Sequence, residues 1–136
     1  MKISIIIPVF NEAKTILKIL KKINKIKKIK KEIIIINDGS TDNTKKIIEK
    51  ECVGLFSRLI SYRSNKGKGF ACRKGLKYAT GKIIIIQDAD LEYDPKDYEK
   101  LIHPIIKKKT KIVYGSRVLA GGVRFRPKSI DVVVRL

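Results

Sequence analysis

The sequence predicts one α/β domain built on a mainly parallel β-sheet with helices on both faces. Four runs of β-branched residues lack polar alternation, which is typical of strands buried on both sides. The segments between these runs have helical spacing of apolar residues. Because strands and helices alternate along 136 residues, we expect the order βαβαβαβαβ with parallel neighbouring strands. The four runs are residues 3–9, 32–36, 82–86 and 111–114.

The first half of the chain contains two of these strands, each followed by a helix. After residues 3–9, an apolar stripe at helical spacing predicts an amphipathic helix with its lysines on the opposite face: Ile16, Ile19, Leu20 and Ile23. After residues 32–36, the segment 37–44 is rich in the Ser, Thr and Asp residues that cap helices. A short second helix holding Ile47 and Ile48 should follow.

The second half begins with a weaker strand, predicted at residues 59–62, and a helix from about Gly69 to Ala79. Gly81 is placed to end that helix. Asp94-Pro95 marks the start of the last helix, since Asp supplies a cap oxygen and Pro fills the first turn, where its missing N–H costs nothing.

The formal charge of +19 suggests attraction to polyanions or to an anionic membrane surface. However, 25 of the 32 basic residues are Lys and Ile is equally frequent, so a compositional bias with a solvated surface is favoured over a dedicated polyanion site. Nucleic-acid binding is further opposed by the lack of a basic helix or an aromatic stacking motif. Weak peripheral contact with anionic lipid stays open.

The compartment is predicted from the cysteines and the apolar segments. Cys52 and Cys72 have neither disulfide nor zinc-ligand spacing, which fits a reducing compartment. The first apolar run is too short for a signal peptide, and no window approaches the roughly 20 apolar residues of a membrane span. We expect a cytoplasmic protein that contacts, at most, the cytoplasmic face of a membrane.

Acidic side chains follow the predicted strands at the edge where ligands bind in such sheets. Asp38 follows the second strand, where a turn or capping role is at least as plausible as ligand contact. Asp88 and Asp90 follow residues 83–86, and two carboxylates so close would repel each other without a cation beside them. Mg²⁺ and Mn²⁺ take such oxygen ligands, usually alongside substrate phosphates.

The usual nucleotide-binding fingerprints are missing. A Gly-rich turn should follow the first strand of a dinucleotide-binding domain, and this chain has Pro8-Val9-Phe10-Asn11-Glu12 there. Gly67-Lys68-Gly69 lacks the third glycine and is equally compatible with a flexible turn before a helix. The absence of a Walker-type Gly-Lys-Ser/Thr excludes the common ATP and GTP sites.

Five motifs in order resemble family 2 glycosyltransferases, and among them the polyprenyl-phosphate sugar transferases of the dolichyl-phosphate mannosyltransferase kind. The resemblance covers roughly residues 1–122. The motifs are Pro8-Val9-Phe10-Asn11-Glu12, Asn37-Asp38-Gly39-Ser40-Thr41-Asp42, Asn65-Lys66-Gly67-Lys68-Gly69, Asp88-Ala89-Asp90 and Tyr114-Gly115-Ser116-Arg117.

The resemblance implies a GT-A (Rossmann-like) fold and transfer, with inversion, from a GDP- or UDP-sugar to polyprenyl phosphate or a glycan, with Mg²⁺ or Mn²⁺ as cofactor. It also implies a role for each matching residue. The residues implied to contact the donor are Pro8, Glu12, Asp38 (to the base), Lys68 and Asp88. Those implied to contact the metal are Asp88 and Asp90, which form the family's DXD motif, and Glu92. Catalysis is implied for Asp90 and for Arg117, which would face the diphosphate or the acceptor phosphate.

The resemblance weakens after Gly122. We therefore predict a nucleotide-sugar-binding domain at residues 1–122 and an aberrant or truncated start of the acceptor-side segment at 123–136, so that the GT-A fold is incomplete at its C-terminus and transfer to the acceptor is poor. Arg124 and Arg126 suit either an acceptor phosphate or a solvated tail. A non-catalytic nucleotide-sugar-binding remnant remains the main alternative, because binding and catalytic residues coincide.

Overall fold

The protein folds around one β-sheet. The computed structural model describes residues 1–115 in full and the backbone of residues 131–135. The strands in these parts are β1 Ile3–Val9, β2 Lys31–Asp38, β3 Arg58–Tyr62, β4 Ile83–Ile86, β5 Ile112–Gly115 and β6 Asp131–Arg135. The helices are α1 Ile16–Lys25, α2 Thr44–Glu51, α3 Lys68–Leu76 and α4 Tyr98–Ile106, with a short 3-10 helix, Pro95–Asp97, before α4. Each predicted strand and helix is therefore present.

The strand order in the sheet is β3-β2-β1-β4-β6-β5. The first four strands in the chain pair in parallel with one another, with β1 between β2 and β4. The chain moves outward from β1 to β3 on one side and then returns to place β4 on the other. This reversal makes the carboxyl ends of β1 and β4 a topological switch point, where open α/β sheets bind their ligands.

Among the strands of the described residues, β6 is the one that the sequence did not predict. It runs antiparallel between β4 and β5, pairing Val132 with Ile86 on one side and with Tyr114 on the other. Part of the segment assigned to an acceptor region, 123–136, thus belongs to the same sheet as β1. The predicted boundary after residue 122 lies outside the described residues.

Helices cover both faces of the sheet, as predicted. The larger core cluster joins α1, α2 and α4 to one face of the strands through fully buried side chains such as Ile5, Ile35 and Ile85. The smaller cluster lies on the other face, where Ile6, Ile34 and Ile84 pack with Ala71 of α3. Neighbouring isoleucines of one strand therefore point into different cores, which explains why the strand sequences show no polar alternation.

Helix α3 packs directly on β1. A Cβ atom added at Gly75 would lie 2.5 Å from Cγ2 of Ile6, so a larger side chain there would push the helix away from the strand. This close packing fixes the end of α3 at the sheet and thereby the direction in which its first residue, Lys68, faces. Among the described residues, none of the helices is long and apolar enough to cross a bilayer.

The last predicted helix start is confirmed with its cap. The Asp94 side chain accepts a hydrogen bond from the Lys96 backbone N–H at 3.1 Å, and Pro95 opens the 3-10 helix that leads into α4. The helix carries Tyr98, Ile102 and Ile105 into the larger core. Tyr98 also donates a hydrogen bond to Gln87 Oε1 at 2.6 Å, so α4 supports the segment that directly follows β4.

One carboxylate is held at the edge of the sheet where the parallel strands begin. Glu32 Oε2 lies 2.7 Å from Lys2 Nζ, and its Oε1 accepts a hydrogen bond from the Thr80 backbone N–H at 2.7 Å and another from the Ser4 hydroxyl. That hydroxyl in turn accepts a hydrogen bond from the Gly81 N–H at 2.8 Å. Burial alone raises the pKa of Glu32, but these hydrogen bonds outweigh it and lower the pKa to about 2.

Candidate functional site

An open cavity of about 330 Å³ lies at the switch point, where β1, β2 and β4 end. Six of the residues singled out from the sequence line it: Pro8, Glu12, Asp38, Lys68, Asp88 and Asp90. Four further lining residues, Val9, Phe10, Asn65 and Ala89, fall inside the recognised motifs but were not assigned a role. Their position within those motifs was the available signal.

The loop after β1 is fastened to the loop after β2. Asn11 has a positive φ of 52° and donates its N–H to the Ser40 hydroxyl at 3.0 Å, while its side-chain oxygen accepts the Thr41 N–H at 2.8 Å. The Glu12 N–H donates to the Thr44 hydroxyl at 2.9 Å, at the start of α2. These contacts explain why the motifs are rich in Asn, Ser and Thr, whose short polar side chains bond neighbouring backbone.

Asp38 connects the end of β2 to the loop before α3. It is 3% exposed, and its two carboxylate oxygens accept the backbone N–H groups of Lys66 at 2.8 Å and Gly67 at 2.9 Å. Gly39 has a φ of 68°, and a Cβ there would lie 2.4 Å from the Ser64 carbonyl carbon. Asp38 therefore positions the loop that carries Lys68, in addition to the base contact predicted for it.

An aromatic pair lies under this loop. Burial, and then the proximity of the Asp38 carboxylate, raise the pKa of the Tyr62 phenol. The Tyr62 ring meets the Phe70 ring edge-on with centroids 5.5 Å apart, and Lys66 Nζ lies 4.9 Å from the Phe70 centroid. The pair supports the loop from outside the cavity, and its members are not among the lining residues.

The two acidic residues after β4 have different surroundings. Asp88 is 9% exposed, with Oδ1 2.5 Å from Lys68 Nζ. Its Oδ2 is buried and has no hydrogen-bond partner among the described residues. Asp90 is half-buried and accepts the Glu92 N–H at 3.0 Å. Burial, and then the charges of Glu92 and Asp88, raise the pKa of Asp90.

These two carboxylates fit a hard divalent cation. A buried carboxylate oxygen without a partner is costly, and a cation beside it would remove that cost. Within residues 1–115, the side chains do not form a group of three or more His, Cys, Asp or Glu residues suited to a metal. Of the described residues, Asp88 and Asp90 would supply oxygen ligands, with substrate phosphates and water at further positions, as Mg²⁺ sites commonly have.

Two predicted site residues are not placed in the cavity. Glu92 is exposed and is not among the residues that line it, so its metal role stays a prediction. Arg117 lies outside the described residues, as do Arg124 and Arg126. His103 is exposed on α4.

Comparison with known proteins identifies the family. The sequence model described as "Glycosyl transferase family 2" matches residues 4–132. The chain belongs to glycosyl transferase family 2. Over 123 residues it is 32% identical to dolichol-phosphate mannosyltransferase of Pyrococcus furiosus. The aligned region covers 90% of this chain and 35% of that protein. The recognition of the family from its five motifs is therefore confirmed.

Two solved structures confirm the predicted GT-A fold. A mannosyltransferase from Pyrobaculum calidifontis, in complex with GDP-Man and Mn²⁺, is 30% identical and superposes with a TM-score of 0.60 over 65% of this chain and 27% of its own. Glucosyl-3-phosphoglycerate synthase from Mycobacterium tuberculosis, with Mn²⁺, UDP and glucosyl-3-phosphoglycerate, is 22% identical with a TM-score of 0.75 over 98% of this chain and 56% of its own.

The chain is shorter than its family 2 relatives. It spans half or less of the length of several curated relatives that it matches, for example 35% of the Pyrococcus protein and 50% of a protein of Methanocaldococcus jannaschii. The matched part is the one that contains β1 to β4 and the cavity at their carboxyl ends.

Proposed function

We propose that this chain carries the donor site of an inverting glycosyltransferase, which takes a nucleoside diphosphate sugar with Mg²⁺ or Mn²⁺ and passes the sugar to polyprenyl phosphate. One observation supports the donor site above all. The buried Asp88 Oδ2 has no partner among the described residues, and Asp90 follows two residues later in a cavity at the switch point of the sheet. A cation with a diphosphate satisfies this arrangement.

Different residues of the cavity would contact different parts of the donor. Asp88 and Asp90 would hold the cation, which when bound stabilises the negative charge that develops on the departing diphosphate. Lys68, half-exposed at the cavity wall, provides a second positive charge for the phosphates. On the other side, Pro8, Glu12 and Asp38 would line the nucleoside, with Asp38 accepting a hydrogen bond from the base beside the two that it already accepts.

The acceptor proposal follows from the chemistry and from the Pyrococcus relative, whose name includes dolichol phosphate. A phosphate monoester, with a second pKa of about 6, is largely anionic at neutral pH, so it can attack the anomeric carbon as the sugar–phosphate bond breaks without help from a base. A glycan hydroxyl would need a base. Radiolabelled sugar appearing on polyprenyl phosphate, with the anomeric configuration inverted by NMR, tests both parts; product with retained configuration contradicts inversion.

Calorimetry tests the donor site. GDP and UDP should each be titrated into the protein with Mn²⁺, with Mg²⁺ and with EDTA, and at least one nucleotide should bind more tightly with metal. In Asp90→Asn this gain should fall by at least about 10- to 100-fold, because losing a ligand's charge costs no less than losing a residue that orients a ligand. Asp97→Asn is the matched control, since Asp97 is an exposed acid paired with Lys100 on α4. Equal affinities with and without metal would contradict the proposal.

We also propose that the protein is cytoplasmic and makes peripheral contact with an anionic membrane, which the formal charge of +19 supports. Co-sedimentation with vesicles tests it. Binding should occur to vesicles containing phosphatidylserine and should be lost at about 0.5 M salt, because screening shortens the range of the attraction to a few ångströms. Equal binding to neutral vesicles would contradict a charge-driven contact.

A further inference from the structure

The ion pair between Lys68 and Asp88 occupies the position where the donor site needs a cation. Lys68 is the first residue of α3, and its side chain is 48% exposed, whereas that of Asp88 is 12% exposed. Nζ of Lys68 lies 2.5 Å from Asp88 Oδ1, and the other oxygen of the same carboxylate has no partner among the described residues. Only one oxygen of the buried carboxylate is therefore paired, and the lysine that pairs with it is exposed enough to move away.

We propose that Lys68 is a displaceable counter-ion: without metal it neutralises Asp88, and when a divalent cation and the donor diphosphate bind, its ammonium group moves from Asp88 to the phosphates. This inference rests on the proposed donor site and adds to it a competition between Lys68 and the cation for one carboxylate. No bond is made or broken in the exchange, since one ion pair replaces another.

The local structure permits such a movement of the side chain while the backbone stays in place. The backbone N–H groups of Lys66 and Gly67 are both held by the buried Asp38 carboxylate, so the Cα atom of Lys68 is fixed at the cavity wall. Beyond that atom, the lysine side chain has four rotatable bonds and a compact ammonium group. Gly75 holds the other end of α3 against Ile6. A change of partner therefore requires only a change of rotamer.

Competition for Asp88 has a measurable consequence. A cation that binds alone must displace Lys68 and leave its ammonium group without an anion, which weakens binding. A cation that arrives with a diphosphate provides that anion. Metal and nucleotide should therefore strengthen each other's binding by the same factor, as reciprocity between two ligands requires. Removing the charge of residue 68 should raise the affinity for metal alone and reduce this mutual effect.

Titration of Mn²⁺ followed by electron paramagnetic resonance measures the free ion directly and does not depend on turnover. Four proteins should be compared: wild type, Lys68→Met, Lys68→Arg and Lys46→Met. Lys46 is an exposed residue of α2, so its replacement matches the loss of charge away from the cavity. Each protein is titrated with Mn²⁺ alone and then in the presence of GDP and of UDP.

We expect Lys68→Met to bind Mn²⁺ alone about three- to tenfold more tightly than wild type, the scale of a partly exposed ion pair next to a carboxylate. The gain in Mn²⁺ affinity on adding nucleotide should shrink in that variant and persist in Lys68→Arg, which keeps the charge. Lys46→Met should behave as wild type. General damage to the site cannot produce a gain in metal affinity.

The possible failures are distinguishable. If Lys68→Met binds Mn²⁺ alone as wild type does, or less tightly, while losing nucleotide affinity, then Lys68 is only a donor contact and the proposed exchange is wrong. If wild type shows no Mn²⁺ binding with either nucleotide, the metal-dependent donor site itself is overturned and the exchange with it. If Lys46→Met reproduces the effect of Lys68→Met, the effect arises from overall charge, which also overturns the exchange.

Discussion

The two edges of the same parallel strands carry carboxylates with opposite surroundings. At the edge where the strands begin, both oxygens of Glu32 are bonded by Lys2, Ser4 and Thr80. At the edge where the strands end, one oxygen of Asp88 pairs with Lys68 and the other has no partner among the described residues. The pKa of the nearby Asp90 is raised, with burial as the largest cause. The pKa of Glu32, by contrast, is lowered to about 2.

This difference distinguishes a carboxylate with a structural role, Glu32, from one whose bonding would be completed by a ligand, Asp88. A carboxylate such as Glu32, whose hydrogen bonds all come from the protein, is held in its ionised form and thereby stabilises the folded state. A carboxylate with incomplete bonding costs stability, and chains retain such groups where a ligand completes them. The comparison predicts that neutralising a carboxylate of the first kind lowers the stability of the fold and leaves ligand affinity unchanged. Neutralising one of the second kind should weaken ligand binding without lowering stability.

The largest expected effect is that of Glu32→Gln on stability. The lowering of its pKa from 4.5 to about 2 corresponds to about 3 kcal/mol at most. We expect a loss of about 2 kcal/mol in the free energy of unfolding at pH 7, because Gln removes the partner of Lys2 and places an amide donor among other donors. Urea unfolding followed by circular dichroism measures it.

The matched control for this change is Glu49→Gln, which removes an exposed acid paired with Lys45 at 3.9 Å. Its effect should stay within about 0.5 kcal/mol. Donor affinity should be unchanged in folded Glu32→Gln, since Glu32 lies at the opposite edge from the cavity. Equal, small effects of both substitutions would remove the distinction between the two edges.

The second effect is a pH dependence that belongs to Glu32. Because its pKa in the folded protein is below the usual 4.5, the stability it contributes is fully present above about pH 4.5 and is lost as the pH falls towards about 2. Wild type should therefore lose about 2 kcal/mol more than Glu32→Gln over this range. Parallel stability curves for the two proteins between pH 5 and pH 2 would show that the Glu32 bonds do not act as the structure indicates.

The sequence predicted the edge with the cavity better than the edge with Glu32. Parallel strands place their carboxyl ends together, so Asp38, Asp88 and the loop after β1 could be assigned to one site from the strand pattern and the family motifs. Glu32 is bonded to Ser4, 28 positions away, and to Thr80, 48 positions away, and no local sequence pattern predicts these bonds. The ion pair of Lys68 with Asp88 depends likewise on how α3 packs on the sheet.

The missed strand β6 shows the same limit. Its three valines form a short run, Val132 to Val134, that acquires a partner only because β4 and β5 leave a place between them. Alternation and propensity describe a segment by itself, whereas an antiparallel insertion between two distant strands is decided by the whole sheet. Glu92, whose metal role is implied by the resemblance, is not among the residues that line the cavity, and that role stays a prediction.

The smallest expected effect, and the one with the opposite sign, is that of Asp90→Asn in metal-free protein. Burial, then Glu92 and Asp88, raise the pKa of Asp90, so its charge opposes folding at neutral pH and protonation relieves it as the pH falls. Asn retains an oxygen for the Glu92 N–H, and the variant should be more stable than wild type by a few tenths of a kcal/mol, up to about 1 kcal/mol, in EDTA. With Mn²⁺ and a nucleotide the order should reverse, because only wild type gains ligand-linked stability. Urea unfolding under both conditions measures this crossing. An Asp90→Asn variant less stable than wild type in EDTA would place Asp90 beside Glu32 as a structural charge.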